Sequence, residues 1–109
     1  MNLSQFTGTE QWYKHPFSKV TYTDGVKYFA EKAGAYWFID KVLLEYLPLY
    51  TKHEFLHITL TVLGSTAFVR VTDGNDLILK KDHVEYTDCP EGEYEFFLTN
   101  DVLLLTSEY

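Results

Sequence analysis

The sequence predicts an α+β fold in which an N-terminal helical layer packs on a four- to six-stranded antiparallel meander. Between about residues 24 and 47, apolar side chains recur at helical spacing. After residue 52 the apolar period shortens to two, which is typical of half-buried strands. A chain of 109 residues suits one core, so we predict a single domain over 1–109.

The helical segment has a start signal, a stop signal and one weak point. Asp24 is the predicted N-cap, because its carboxylate can accept from the free amides of the first turn. Pro48 ends the pattern, since proline lacks the amide that the helix needs. Gly34 lies in the interior, where glycine costs about 1 kcal/mol relative to alanine. The pattern fits either one long helix or a helix broken at Gly34.

Alternation and turn residues predict the strands. A short strand over 17–22 precedes the helix, and His57–Val62 begins the later strand run. Asp73-Gly74-Asn75-Asp76 is a hairpin signal, because Asp-Gly readily adopts positive φ angles. The remaining predicted strands cover 67–72, 77–81 and 83–86 (two strands or one with a bulge), 93–99 and 102–105, with a tight turn at Asn100-Asp101.

The strand pattern also predicts an exposed surface. Along residues 93–98, alternation turns the even positions toward the helices and leaves Glu93, Glu95 and Phe97 outside. The strand before it is expected to lie beside it and to add Glu85. We therefore predict an exposed acidic face around one aromatic side chain.

Charge is distributed unevenly. Residues 1–81 hold eight acids and nine bases, whereas residues 82–109 hold eight acids and no Lys or Arg. Such a surface repels phosphates and attracts basic partners, although acidic residues also simply keep small domains dispersed. The predicted partner-binding residues are Asp82, Glu85, Asp88, Glu91, Glu93, Glu95 and Phe97.

The sequence offers little chemistry for catalysis. It has no glycine-rich phosphate loop and no nucleophile elbow. Acidic neighbours disfavour the thiolate of Cys89, and with four scattered histidines we expect no metal site and no cofactor. A polar and aromatic group could line a pocket, or could form a packed seam between the N-terminal segment and the helix: Trp12, Tyr13, His15, Asp24, Tyr28 and Trp37.

Cysteine content and hydropathy bear on the compartment. The single cysteine cannot form an intrachain disulfide, which favours a reducing environment. The N-terminus lacks the basic and apolar regions of a signal peptide. The most apolar helical stretch is too short and too charged to span a bilayer. We expect a cytoplasmic protein.

Three stretches carry a resemblance. They are Phe6-Thr-Gly-Thr-Glu10 with Trp12-Tyr13, Tyr22-Thr-Asp-Gly-Val-Lys-Tyr28 through Ala30-Glu-Lys-Ala-Gly-Ala-Tyr-Trp37, and Val102-Leu-Leu-Leu-Thr-Ser-Glu-Tyr109. They resemble a family of small bacterial, plasmid and phage proteins of unknown function, and residues 48–85 are only generally alike. The resemblance implies a mobile-element setting and no particular activity.

Three hypotheses follow. The first is a non-catalytic protein-binding module of a phage or mobile element, an inhibitor of a host nucleic-acid-binding defence complex of the anti-CRISPR type. The second is a small enzyme or ligand-binding domain that uses the region of Trp12, His15 and Asp24. The third is a structural or assembly subunit. We expect the chain to be a monomer or a small homo-oligomer that binds neither nucleic acid directly nor membranes.

Overall fold

A computed structural model of the chain describes residues 2–16, 18–75 and 77–109. Its strands are β1 (Trp12–Lys14), β2 (Thr21–Thr23), β3 (Phe55–Leu63), β4 (Thr66–Thr72), β5 (Ile78–Val84), β6 (Gly92–Thr99) and β7 (Val102–Leu105). Its helices are α1 (Asp24–Ala33), α2 (Tyr36–Glu45) and α3 (Leu47–Tyr50), and a 3-10 turn covers Thr106–Glu108. No helix in the described ranges is long and apolar enough to cross a membrane.

The seven strands form one mixed sheet in the order β1-β2-β7-β6-β3-β4-β5. Neighbouring strands are antiparallel except β2 and β7, which run parallel. The prediction of a helical layer on a four- to six-stranded antiparallel meander is therefore wrong. Two strands come from the N-terminal segment: β1 was not predicted, and β2 shares only Thr21 and Tyr22 with the strand predicted over 17–22.

The helical segment is broken rather than continuous. Gly34 adopts a left-handed conformation (φ 62°) and ends α1, which glycine can do without a steric penalty. The predicted N-cap is off by one residue: the Thr23 hydroxyl accepts from the Val26 amide, and Asp24 is the first helical residue. The helix end predicted at Pro48 is also wrong: α2 ends at Glu45, and Pro48 lies in the first turn of α3, where its missing amide is tolerated.

The later strands and turns follow the sequence pattern closely. Segments 77–81 and 83–86 form one strand, β5, with a register shift against β4 between Val71 and Thr72. Asn100 and Asp101 have φ angles of 53° and 58°, as a tight hairpin turn with two left-handed residues requires. The predicted hairpin turn at 73–76 has Gly74 at φ 90°, while Asp76 and the start of the predicted strand 17–22 lie outside the described residues.

Helices α1 and α2 pack on one face of the sheet through aromatic side chains. Phe29 and Phe38 lie 5.2 and 4.8 Å from Phe96 between ring centroids, and all three are fully buried. The same face carries the apolar side chains of β3 and β4, which are also buried. This packing supplies the main hydrophobic stabilisation of the fold.

The opposite face, termed the open face, carries the other side chains of the central strands. Its members include Thr59 and Thr61 of β3, Phe68 and Arg70 of β4, Lys81 of β5, and Glu93, Glu95 and Phe97 of β6. Phe68, Arg70, Lys81, Glu93 and Glu95 are exposed. The predicted alternation along 93–98 is confirmed: Phe96 and Leu98 are fully buried on the helix side, and Phe97 lies on the open face.

A buried carboxylate near the C-terminus joins distant parts of the chain. Glu108 is only 8% exposed. Its carboxylate accepts hydrogen bonds from the Thr23 hydroxyl (2.6 Å) and from the Leu105 and Gly25 amides (2.9 and 3.3 Å). The Thr9 hydroxyl donates a fourth, at 3.3 Å. These contacts fix the N-terminal segment, the start of α1 and the end of β7 to one another.

The edge strand β5 is attached to the helices by a polar contact. The Tyr46 hydroxyl donates to the Asp82 carboxylate at 2.5 Å, and the Lys41 ammonium lies 3.7 Å from the same carboxylate. The hydrogen bond from Tyr46, with the charges of Lys41 and Lys80, lowers the pKa of Asp82. Asp82, which we predicted in the partner-binding surface, thus points to the helix side of the sheet.

Replacing Gly25 with alanine is expected to destabilise the fold by about 1 to 3 kcal/mol. A Cβ atom there would lie 2.7 Å from the Glu108 carboxylate, which its hydrogen bonds hold in place. The measurement is thermal unfolding. Gly8→Ala is the control, since nothing lies within 4 Å of its added methyl group. A Gly25→Ala protein that melts at or above the wild-type temperature would contradict this role of Glu108.

Tyr46→Phe is expected to cost roughly 1.5 to 3 kcal/mol at neutral pH, the range for a hydrogen bond to a charged group. Because the pKa of Asp82 is lowered in the folded state, its stabilisation is present above the unfolded value of 3.8 and is lost as pH falls through the folded value. The difference in melting temperature between wild type and variant should therefore be largest near neutral pH and shrink in acid. A difference that does not shrink even in acid strong enough to protonate Asp82 in the folded state would argue against the ionised acceptor.

Candidate protein-binding surface

Four of the predicted partner-binding acids meet at one end of the sheet. The loop from Glu85 to Glu91 leaves the edge strand β5, crosses the β3–β4 turn and enters β6. Glu85, Asp88 and Glu91 lie in this loop, and Glu93 follows at the start of β6; all four are exposed. This surface, with the turn from Leu63 to Thr66, is termed the acidic end.

Hydrogen bonds fasten the loop to the turn. The Thr87 amide donates to the Ser65 carbonyl at 2.7 Å, and the Gly64 amide donates to the Glu91 carboxylate. Within the loop, the Tyr86 hydroxyl donates to the Asp88 carboxylate at 2.8 Å. These hydrogen bonds link the loop that carries the acidic side chains to the β3–β4 turn.

The acidic end combines four acidic side chains with exposed apolar groups, and its Glu93 also borders a groove that Arg70 and Lys81 line. Residues 61–66 and 84–93, which build it, contain no Lys or Arg. Leu63 and Tyr86 are 62% and 70% exposed beside the acids. Large apolar side chains next to a single sign of charge are a combination found at protein interfaces.

Glu85 and Glu93 lie at the same end of the sheet, but not because they are on neighbouring strands, as we predicted. The strand before β6 in the chain, β5, does not pair with β6, because β3 and β4 lie between them. Glu85 instead reaches the same end of the sheet through the loop that crosses the β3–β4 turn. Sequence alternation gives side-chain faces, but it carries no information on which strands are neighbours.

The two remaining predicted residues, Glu95 and Phe97, lie farther along the open face. The Glu95 carboxylate is 3.1 Å from the His57 ring nitrogen of β3. Phe97 is half-buried among Phe55, His57 and Tyr109, with ring centroids 4.9, 5.3 and 5.1 Å away. Phe97 is thus part of an aromatic group and not an isolated exposed anchor.

The polar and aromatic side chains considered as a pocket do not converge. His15 is buried with its ring nitrogen 2.9 Å from the Asp40 carboxylate, and Asp24 is not part of that pair. Tyr13 stacks on Tyr22 at 5.7 Å, and Phe6 lies 5.1 Å from Tyr28. These ring contacts are what a packed seam between the N-terminal segment and the helix region requires.

The remaining members of that group line three separate depressions. Trp12 borders a cleft of about 300 Å³ next to Glu108 and Tyr109. Trp37 borders one of about 400 Å³ beside Tyr86, and Asp24 one of about 530 Å³ beside residues 5–10. Among the described residues, Trp12, Asp24 and Trp37 therefore do not share one depression.

Nucleophile and metal chemistry find little support in the described part of the chain. Burial raises the pKa of the Cys89 thiol, which keeps it in the unreactive protonated form. Among the residues that the structure describes, no three His, Cys, Asp or Glu side chains are grouped so as to hold a metal ion. Burial also raises the pKa of Glu108, but hydrogen bonds occupy its carboxylate, which suits a structural role.

Comparison with known proteins places the chain in a family whose function is unknown. A family model described as a family of unknown function, DUF6876, matches residues 1–109. No curated protein matches the chain, and no solved structure does. Because the model covers the whole sequence, the chain belongs to the DUF6876 family.

Proposed function

We propose that this protein is a non-catalytic protein-binding module whose acidic end binds a basic surface on a partner. The observation that carries the proposal is the meeting of Glu85, Asp88, Glu91 and Glu93 at one end of the sheet, in segments free of Lys and Arg. The sequence concentrates the negative charge in the last quarter of the chain, and the fold brings these four acids together.

Electrostatics would supply both attraction and selectivity. Four like charges on one surface raise the local negative potential, which speeds encounter with a positive patch and disfavours acidic partners. Like charges also repel one another, so they favour a bound state in which a partner neutralises them. Binding of this kind weakens as salt rises, because the Debye length falls to about 8 Å at physiological ionic strength.

Apolar contacts and a loop that is held in place would also contribute to the binding affinity. Leu63 and Tyr86 offer exposed apolar contacts at the centre of the charge, and aromatic side chains commonly dominate interface energies. The hydrogen bonds between the loop and the β3–β4 turn hold these groups before binding, so less conformational entropy is lost on association.

The partner class that we propose is a host defence complex that holds nucleic acid in a basic groove, as an inhibitor of the anti-CRISPR type would require. A row of fixed carboxylates presents the same sign of charge as a phosphate backbone, so it suits a groove built from Lys and Arg. Competition between this protein and nucleic acid for the same groove is the direct consequence.

Charge reversal tests the proposed surface. Glu85→Lys with Asp88→Lys should weaken binding at least tenfold, because repulsion replaces attraction at the interface. The matched control is Glu10→Lys with Glu54→Lys, at two exposed positions outside the acidic end. Each replacement raises the net charge by two, so both double variants have a net charge of −3 instead of −7.

The readout is capture of host proteins on immobilised wild type and variants, followed by titration of the purified partner at two salt concentrations. We expect the control to bind within about twofold of wild type, which corresponds to less than 0.5 kcal/mol. Equal loss in both double variants, or affinity independent of salt, would overturn the assignment of the acidic end. Thermal melts of all proteins exclude unfolding as the cause.

A further inference from the structure

The open face contains a groove that runs along its central strand. Thr59 and Thr61 of β3 form the floor of a depression of about 300 Å³. Phe68 and Arg70 of β4 stand on one side of the floor, and Glu93 of β6 stands on the other. A ridge of large side chains on β4 thus lies next to a row of small ones on β3.

Charges of opposite sign flank this groove. Glu93 and Glu95 lie on β6, whereas Arg70 lies on β4 and Lys81 on β5. Arg70 and Lys81 are directly opposite each other in the strand register, where like charges are destabilising. In the described part of the chain, neither takes part in a salt bridge. No acid among the described residues therefore neutralises either cation within the single chain.

We infer that the open face is the interface of a homodimer, with a second copy packed face to face on it. A two-fold axis parallel to the strands and midway between β3 and β4 places β4 of each copy over β3 of the other, and β6 over β5. The strand register then fixes which side chains meet. Aligned sheets of this kind pack about 10 Å apart, with strand directions within about 30°.

The matches across the axis are complementary in shape. Phe68 faces Thr61 of the second copy, so the ridge of one copy enters the groove of the other. Farther along the strands, Phe97 of β6 in one copy lies over Ile78 of β5 in the other, so two apolar side chains meet. Ile78 and Phe68 are 46% and 45% exposed in the single chain, so both would gain burial.

One match is also complementary in charge, whereas Arg70 of each copy faces Thr59 of the other. Glu95 lies in the same cross-strand row as Arg70 and Lys81, through Thr59. The axis sets Glu95 of one copy over Lys81 of the other. Because the interface is isologous, each pair occurs twice. The open face of a single copy thus contains both members of each pair that meets across the axis.

The area that the two open faces would bury determines the expected affinity of the dimer. Four strands about 4.8 Å apart and about 25 Å long give a footprint on the order of 500 Å² per copy. This lies below the roughly 800 Å² per partner of a standard stable interface, so the dimer should dissociate at accessible concentrations. The axis is parallel to the strands, and so both acidic ends would point the same way; if the proposed function holds, the dimer would bind a repeated basic surface bivalently.

A charge swap tests the dimer independently of any partner. Sedimentation velocity of the wild type from about 1 µM to about 1 mM should show a reversible monomer–dimer equilibrium. Lys81→Glu and Glu95→Lys should each weaken dimerisation at least tenfold. The double variant Lys81→Glu with Glu95→Lys restores opposite charges across the axis, and should recover affinity to within about threefold of wild type, a difference of roughly 0.7 kcal/mol.

Lys52→Glu and Glu54→Lys are the charge-matched controls, since both positions are exposed and lie before β3 begins. They should leave the equilibrium unchanged, and melting curves establish that each variant is folded. A wild type that stays monomeric over the whole range would overturn the inference. So would a dimer that the single variants do not weaken, or one that the double variant does not restore. None of these outcomes depends on whether the acidic end binds a partner.

Discussion

The buried carboxylate of Glu108 is the contact on which the N-terminal half of the fold depends. It lies one residue from the end of the chain, yet its four donors come from the N-terminal segment, from β2, from the start of α1 and from the end of β7. Burying a carboxylate is unfavourable unless hydrogen bonds replace the lost water. Here they do, so a group that would otherwise destabilise the protein specifies how four segments meet.

The parallel pairing of β2 and β7 follows from this arrangement. Only two residue pairs join these strands, which is too few to hold two distant segments by themselves. Glu108 adds hydrogen bonds to Thr23, the last residue of β2, and the Thr21 amide bonds to the Asp101 carbonyl. Through β2, the strand β1 and the aromatic contacts of the N-terminal segment are also attached.

The acids of the last quarter have separate roles. Glu108 joins segments in the interior, Asp82 attaches β5 to α2 through Tyr46, and Glu95 lies beside His57 on the open face. Glu85, Asp88, Glu91 and Glu93 are left to form the acidic end. The surface charge that a partner would meet is thus smaller than the composition suggests, but it is more concentrated. The open face is nearly balanced in charge, which suits contact with a copy of itself.

The sequence by itself determined the local features whose physics is local. Alternation set Phe96 and Leu98 on one face of β6 and Phe97 on the other, because the side-chain period of a strand is fixed by its backbone. Asn100-Asp101 marked a turn, since few residues tolerate positive φ. Gly34 marked a weak point in the helical pattern, and the structure decided that the helix ends there.

Only the tertiary structure decided which segments are neighbours. The sequence gives no sign that β3 and β4 separate β5 from β6, that β7 pairs with β2, or that Glu108 reaches Thr9 and Thr23. Those choices depend on how the whole chain buries its apolar surface while satisfying its polar groups. No window of a few residues contains that balance. The same limit explains why His15 meets Asp40 and not Asp24, and why the acidic end is formed by a loop crossing a hairpin turn and not by adjacent strands.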